Sequence, residues 1–416
     1  MEPWRRNLYT LWAAQFIAQV GLSLVVPFMP LYIGTLGVGG LGEVERWSGV
    51  LFAAPFLAMT LAAPLWGVLG DRYGRKIMIL RALGGIGVTN LLTAFVTNVW
   101  QLLGLRAAQG GVSGFVSATN ALVSSSVPRD RLGAVLGVLQ TSLTAGAVIG
   151  PLIGGALADL TGYRRVFVIN GLMCWIAAAI VVWGVREPAL AAPRAARGGG
   201  VRENLALVFG SPPLRTIALL LCASQVAVLE VEPMFPLYVE TLGVPPAHVA
   251  TISGFLFSAT GIASMIGAPL WGRWADSASQ GRVVVLVLWG ASVAYALQAA
   301  VHSTYTLLVF RVLLGFFVGG LLPPLYAIVA RLTPPERLGG IMGITSSALM
   351  LGGLIGPLVG GVCSALFGIR PVFAMAAALL AVCALAVRGI VPPQQEPASP
   401  QHIRSLQTTE TGREAP

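Results

Sequence analysis

Two glutamates, Glu230 and Glu232, and two arginines, Arg106 and Arg311, stand inside long apolar stretches of the sequence. An arginine near the centre of a bilayer costs roughly 2.5 to 3.5 kcal/mol on insertion scales, so each needs a cavity or a partner unless it snorkels from a helix end. A carboxylate removed from water takes up a proton more readily near neutral pH, which is what a proton-driven carrier requires. Glu230 and Glu232 are the only acids that read as lying well inside a predicted span. They are the candidate proton carriers, the alternative being that they sit near an outer mouth and stay ionised in water. Two residues apart on a regular helix, they point about 200° apart, so one faces a cavity unless Pro233 breaks the turn.

The elements that must hold these groups follow from composition. Of 416 residues, 56% are hydrophobic and 10% charged, and the mean hydropathy is +0.80. A soluble fold cannot hide that much apolar surface, so the chain reads as an all-α integral membrane protein. The first apolar run, from near Leu8, has no small-residue cleavage site and reads as the first span. Twelve spans are expected near 8–34, 48–69, 77–96, 100–122, 133–158, 165–185, 214–239, 249–274, 283–301, 305–330, 339–366 and 371–391. They group as six-helix units over 1–186 and 214–391, joined by a Gly-, Pro- and Arg-rich cytoplasmic linker at 187–213. A polar tail at 392–416 reads as disordered. Most of the 26 basic residues fall in segments on the side of the termini, while Arg46, Arg164, Arg165 and Arg370 fall in the opposite loops. Both termini are therefore expected in the cytoplasm. The net charge of +10 is spread over short loops, which argues for membrane topology and against nucleic acid.

The chain repeats itself. "VPFMPLYIGTLGV" at Val26 returns as "EPMFPLYVETLGV" at Glu232, "APLWG" at Ala63 returns at Ala268, "PRDRLG" at Pro128 as "PPERLG" at Pro334, and "IGPLIGG" at Ile149 as "IGPLVGG" at Ile355. A constant offset of 205 or 206 marks a duplicated six-helix unit, whose parallel halves place a binding site at their interface near the midplane. Leu24 and Val26 match the two glutamates, so the acids belong to one half only. Gln19 and Gln225 match each other. With Gln15 and Asn120, they either hydrogen-bond a cargo or join helices. Phe28, Phe235 and Tyr326, with Met29 and Met234, either line an adaptable apolar pocket or serve packing.

"GVLGDRYGRKIMILR" from Gly67 joins two expected spans. Its Asp71 can lie at the positive end of the next helix or pair with Arg72, Arg75 or Lys76, and Gly67 and Gly74 permit a tight turn. Such a loop, with Asp276 in the second copy, either latches the halves or reflects positive-inside topology alone. Gly137, Gly146, Gly150, Pro151, Gly154 and Gly155 recur as Gly343, Gly352, Gly356, Pro357, Gly360 and Gly361. Small residues at this spacing let helices approach closely, and Gly-Pro invites a bend: a hinge, or close packing alone.

These motifs resemble the major facilitator superfamily. Gly67, Leu69, Asp71, Arg72, Gly74, Arg75 and Lys76 match its signature loop, and Gly21, Pro27 and Pro30 the first helix of its twelve-helix drug:proton antiporters. Gly137 to Gly155 match the antiporter motif G-x8-G-x3-G-P-x-x-G-G. Leu102, Arg106, Gln109 and Gly110 match L-x-x-x-R-x-x-Q-G, although the next glycine of that motif falls on Val112. The resemblance implies two pseudo-symmetric six-helix bundles, export rather than uptake, and a part in proton coupling for Arg106 that extends by repetition to Arg311, itself counted among the cargo-lining residues. The expected protein is a monomeric exporter of a lipophilic small molecule in the bacterial inner membrane, bathed in lipid and driven by protons without a cofactor. A dedicated exporter or uniporter of one metabolite such as a sugar, and a transporter-derived receptor, are the alternatives. Cys174, Cys222, Cys363 and Cys383 and the three scattered histidines suggest no metal site, and no phosphate-binding loop suggests use of ATP. No enzyme activity is expected.

Overall fold

The computed structural model describes residues 3–128, 131–187, 200–277, 280–334 and 337–388. The expected tail and residues 188–199 of the expected linker, as well as the side chains of Asp71 and Asp276, lie outside what is described. Among the described residues there is no strand. The helices are α1 (Pro3–Leu24), α2 (Met29–Gly34), α3 (Leu41–Tyr73), α4 (Arg75–Thr93), α5 (Val99–Val112), α6 (Phe115–Ser126), α7 (Leu132–Thr161) and α8 (Tyr163–Gly184). They continue as α9 (Val201–Gly210), α10 (Pro212–Leu229), α11 (Phe235–Thr241), α12 (Val249–Ser277), α13 (Gln280–Ala299), α14 (Thr304–Gly319), α15 (Leu322–Leu332), α16 (Leu338–Phe367) and α17 (Ile369–Arg388).

The duplication is visible as matched breaks. Pro27 lies between α1 and α2 with Pro30 in the first turn of α2, and at the same offset Pro233 lies between α10 and α11 with Pro236 in the first turn of α11. Each proline removes a backbone donor and crowds the carbonyl four residues earlier. The helix therefore stops at Leu24 and at Leu229, and a 3-10 turn at Glu232–Met234 bridges the second gap. The other matched pair is α5/α6 and α14/α15. Gly114, at φ 113°, turns the chain in the first of these, a conformation that side chains with a Cβ rarely adopt.

Among the described residues, ten helical stretches are long and apolar enough to cross a membrane. The two expected spans not among them are α1–α2, which carries Arg5, Arg6, Gln15 and Gln19, and α5–α6, interrupted at Gly114. Within the first half α1 packs on α7 and α8, α3 on α5, and α4 on α8. Within the second half α10 packs on α16 and α17, α12 on α14, and α13 on α17, as the repeat requires. The halves meet through α3 against α16 and α7 against α12.

Repeated side chains explain the repeated phrases. The Tyr32 hydroxyl donates to the Thr93 carbonyl at 3.1 Å, and its match Tyr238 donates to Gln298 at 2.6 Å. Trp66 Nε1 donates to the Gly111 carbonyl at 2.6 Å, and Trp271 Nε1 donates to Phe316 at 2.8 Å. Arg164 and Arg370 donate to the Val96 and Val301 carbonyls at 3.1 and 3.2 Å. Each pair pins the same two elements in both halves, and in a bilayer an unpaired indole or hydroxyl would be costly.

Among the described residues, the halves meet from the far end to about the middle of the bundle, where Ser258 donates to the Val148 carbonyl and Gly353 lies against Phe56. At the end away from the termini, a Cβ on Gly155 would run into the Ala250 carbonyl, one on Gly254 into Pro151, one on Gly49 into Pro357 and one on Gly361 into Glu45. At the end carrying the termini, a Cβ on Gly67, Gly133, Gly137, Gly272, Gly339 or Gly343 would meet nothing within 4 Å. The bundle is thus shut at the far end and parted at the termini end.

Candidate transport site

Arg106 on α5 and Arg311 on α14 occupy matched places. The Arg106 guanidinium stands 6.0 Å from the ring of Phe52, and that of Arg311 stands 5.8 Å from Phe257, the match of Phe52. Their partners then diverge. Arg106 is half-buried and donates through Nη1 to Gln109 Oε1 at 2.8 Å. In the second half the matching residue is Leu314, and Arg311 instead lies 3.6 Å from the ring of Phe235. It is 3% exposed, and its Nε and Nη2 donors have no hydrogen-bond partner.

The proline break around Glu232 sends the two glutamates to different places. Glu230 caps α10, and its backbone lies against Gly356 and Gly360 of α16. Its side chain is 2% exposed, with one oxygen unpartnered. Glu232 begins the 3-10 turn, is half-buried, and is close enough to Arg311 for their charges to attract. Tyr295, fully buried on α13, completes this group beside Arg311. One turn of unwound chain therefore brings Glu232 and Phe235 near Arg311, three residues of the sequence-derived set, while Glu230 packs against α16 yet stays within electrostatic reach of Tyr295.

The other candidates are distributed around this centre. Gln19 and Gln225 are half-buried, and their Cβ atoms pack against the matched glycines Gly146 and Gly352. Gln19 Nε2 also donates to Ser23 at 3.1 Å. Gln15 is 2% exposed, and neither of its amide atoms has a partner. Asn120 on α6 and Tyr326 on α15 are half-buried, Tyr326 beside Ser346 of α16. Phe28 is fully buried in an aromatic core, its ring 5.4 Å from Tyr163 and 5.7 Å from Phe167 of α8, and cargo cannot reach it in this state. Along α7, Gly146, Gly150 and Gly154 admit the backbone of α1 or its first side-chain atoms, Gly155 admits α12, and Pro151 abuts Gly254 of α12. Gly137 stands apart from all contact.

The loop from Gly67 to Lys76 is held inside its own half. The backbone N–H groups of Arg75 and Lys76, at the start of α4, donate to the Glu187 carboxylate, and Lys76 Nζ donates to the Val182 and Val185 carbonyls at 2.8 and 2.7 Å. Glu187 thus occupies the helix N-terminus that the sequence offered to Asp71. Arg72 lies 5.4 Å from the ring of Tyr73. Gly74, at φ 96°, separates α3 from α4.

Three acids were not singled out by sequence. Span 48–69 begins seven residues earlier than expected, at Leu41, and this brings Glu45 into α3 at 3% exposure. Glu230 and Glu232 are therefore not the only acids inside helices. Asp159, expected just past the end of its span, lies within α7, and its Oδ2 accepts from the Thr251 backbone N–H at 2.7 Å and hydroxyl at 2.6 Å. Glu187 lies three residues past the end of α8. The constant offset was the available signal: Glu45 and Thr251 are matched positions, as are Ala158 and Ser364.

Broken spans paired across a pseudo-twofold axis, with charges gathered at one break, are features of a secondary transporter. Comparison with known proteins agrees. A 36% identity over 380 residues links the chain to the multidrug resistance protein MdtG of Dickeya zeae, covering 91% of this chain and 93% of that one. It is 37% identical over 370 residues to YuxJ of Bacillus subtilis, described as an uncharacterised transporter of the MFS type, covering 89% and 94%. Among solved structures, a D-xylose–proton symporter superposes with a TM-score of 0.76 at 14% identity, covering 93% and 98%. A bacterial homologue of the human lysosomal transporter Spinster in an inward-facing, occupied conformation also gives 0.76, at 16% identity, covering 94% and 97%. At such identities these two structures speak for the fold alone. The family model for the Major Facilitator Superfamily matches residues 11–266 and 249–410, and this chain belongs to that superfamily of membrane transporters.

Proposed function

We propose that the chain exports amphipathic small molecules in exchange for protons, by alternating access between its two halves. It acts as a monomer in the bacterial inner membrane with both termini in the cytoplasm. The observation that carries the reading is Glu232: a half-buried carboxylate on a proline-broken segment, within electrostatic reach of a buried arginine whose Nε and Nη2 donors lack partners. With Glu232 ionised, Arg311 has a counter-charge. With Glu232 protonated, Arg311 keeps only the uncharged faces of Phe235 and Phe257 and its neighbour Tyr295, so the balance between two arrangements of α10 and α11 depends on one proton. Arg106, with only neutral Gln109, has no such alternation.

An inward proton carries roughly 2.3 kcal/mol per 100 mV, enough for about fifty-fold accumulation. Export is favoured over uptake by the likeness to proteins named for multidrug resistance. An amphipathic cargo fits a centre where amides such as Gln15, Gln19 and Gln225 are few among apolar side chains. On the proposed sidedness the parted termini end faces the cytoplasm, ready to load. Its closure would bring the Gly67–Lys76 loop, with Asp71 and the repeat position Asp276, into its latching role.

The test is efflux of a fluorescent lipophilic cation from proteoliposomes under an imposed pH gradient. Wild type should drive efflux and Glu232→Gln should not, while counterflow without a gradient survives in the variant. Wild-type transport that ignores the gradient would sink proton coupling, and failure to move any lipophilic dye would favour a dedicated metabolite carrier.

A further inference from the structure

At the far end of the bundle an acid and a hydroxyl face each other across each of the two contacts between the halves, and on the α7–α12 contact the Ser258 hydroxyl also donates to the Val148 carbonyl at 2.5 Å. At the α7–α12 contact, Asp159 accepts from both the backbone N–H and the hydroxyl of Thr251. Thr251 is the third residue of α12, so its N–H is one of the donors that a helix start leaves without an internal partner. The first half therefore supplies the cap for a helix of the second. Beside this bond the backbones of Gly155 and Ala250, and of Gly254 and Pro151, approach as closely as glycine alone allows.

At the α3–α16 contact, Glu45 lies beside Ser364, whose buried hydroxyl has no other hydrogen-bond partner and makes no bond within hydrogen-bonding distance in this structure. Both line a 380 Å³ cavity with Tyr238, Thr241 and Arg370, and Gly49 and Gly361 provide the same close approach. Glu45 is the repeat match of Thr251, and Ser364 matches Ala158, next to Asp159. The two contacts are related by the pseudo-twofold axis, with acid and hydroxyl exchanged between the paired helices.

We propose that Asp159–Thr251 and Glu45–Ser364 are the two ties that hold the far end closed, and that opening to that side requires both to part. This rests on the alternating-access reading above but not on proton coupling or on cargo. Parting the first tie returns Asp159 to water and strips α12 of its cap. A hydrogen bond to a charged group contributes about 1.5 to 3 kcal/mol, so its loss should shift the closed-to-open ratio about tenfold or more.

The test uses the full chain in lipid nanodiscs without cargo or gradient. The native cysteines are replaced, and spin labels are placed at Leu160→Cys and Phe367→Cys, which are 82% and 68% exposed at the far ends of α7 and α16. The distance distribution between them reports the far end directly. Asp159→Ala should raise the separated population about tenfold, Glu45→Ala should move it the same way, and Thr251→Val, which keeps its backbone donor, should move it less. Thr251→Ser should match wild type. The exchange Asp159→Ser with Thr251→Asp copies the arrangement of the other contact and should restore the short distance. Unchanged distances in Asp159→Ala, or an exchange variant that stays as separated as Asp159→Ala, overturn the proposal. Because no transport is measured, a failed proton-coupling test would leave this result readable.

Discussion

The Arg311 guanidinium lies 3.6 Å from the centre of the Phe235 ring, and the two side chains belong to different kinds of element. Arg311 is carried by α14, a continuous helix, whereas Phe235 starts α11 immediately after the 3-10 turn that begins with Glu232. A shift of the broken segment therefore moves both the aromatic face and the carboxylate relative to a fixed cation. A desolvated cation over an aromatic face gains about 2 kcal/mol, comparable to the cost of holding an arginine in the membrane.

Phe235→Leu should leave Arg311 without that face and slow dye efflux at least about tenfold, while Phe235→Trp, which offers a larger face, should retain most activity. Arg311→Lys should fall with the leucine variant, since an ammonium lacks the planar group that stacks on a ring. Initial efflux rates in proteoliposomes, normalised to reconstituted protein, provide the check. Equal rates for leucine and tryptophan would show that the ring serves only to fill space.

Glu230 and Glu232 should behave differently although they are two residues apart. Glu230 is 2% exposed against α16, so Glu230→Gln should reduce the maximal rate while transport still responds to the gradient. Glu232→Gln should abolish that response. Rates with and without the imposed gradient, taken for each variant, separate the two effects.

The duplicated architecture was legible because four phrases keep an offset of 205 or 206; the break at Pro233 entered only as a condition on the two glutamates, and the matched break near Pro27 was not foreseen, although proline removes a backbone donor wherever it falls. The proximity of Glu232 to Arg311 was not legible. It joins two elements about eighty positions apart, and hydropathy carries no information about which faces of two buried helices meet. Glu45 was missed for a different reason. The polar residues Glu43, Glu45 and Arg46 look like a loop, but they form the first turns of α3 beyond a glycine at φ 77°. Glu187 escaped because a charge just past an apolar run reads as a boundary marker, while here it accepts from the first N–H groups of α4.

That last contact makes a stability prediction. Glu187→Ala should uncap α4 and cost about 1 kcal/mol, and Lys76→Met should remove the bonds to Val182 and Val185. The double variant should be less than the sum of the two, because both act on the same junction between α4 and α8. Melting in detergent, followed by the exposure of Cys174 at the centre of α8, measures it, since that thiol is fully buried in the folded protein. Full additivity would mean that cap and lysine anchor fail independently.

Two glycines of α7 should separate the packing of the shut end from the empty space at the other. Gly155 faces the Ala250 carbonyl, and a methyl there cannot fit without moving α12 away; Gly137 faces nothing within 4 Å. Forcing extra atoms into a packed contact costs typically 1 to 3 kcal/mol, and here that cost falls only on the conformation with the far end shut. Gly155→Ala should therefore shift the protein about tenfold toward the conformation open at the far end. Gly137→Ala, which also gains helix propensity, should leave the resting state unchanged and hinder transport only if closing the termini end brings another helix against that site. Distances between spin labels at the far end give the first result, and efflux rates for Gly137→Ala the second. A Gly155→Ala protein that stays shut at the far end would show that α7 and α12 can slide past one another, and the close approach would then be incidental to closure.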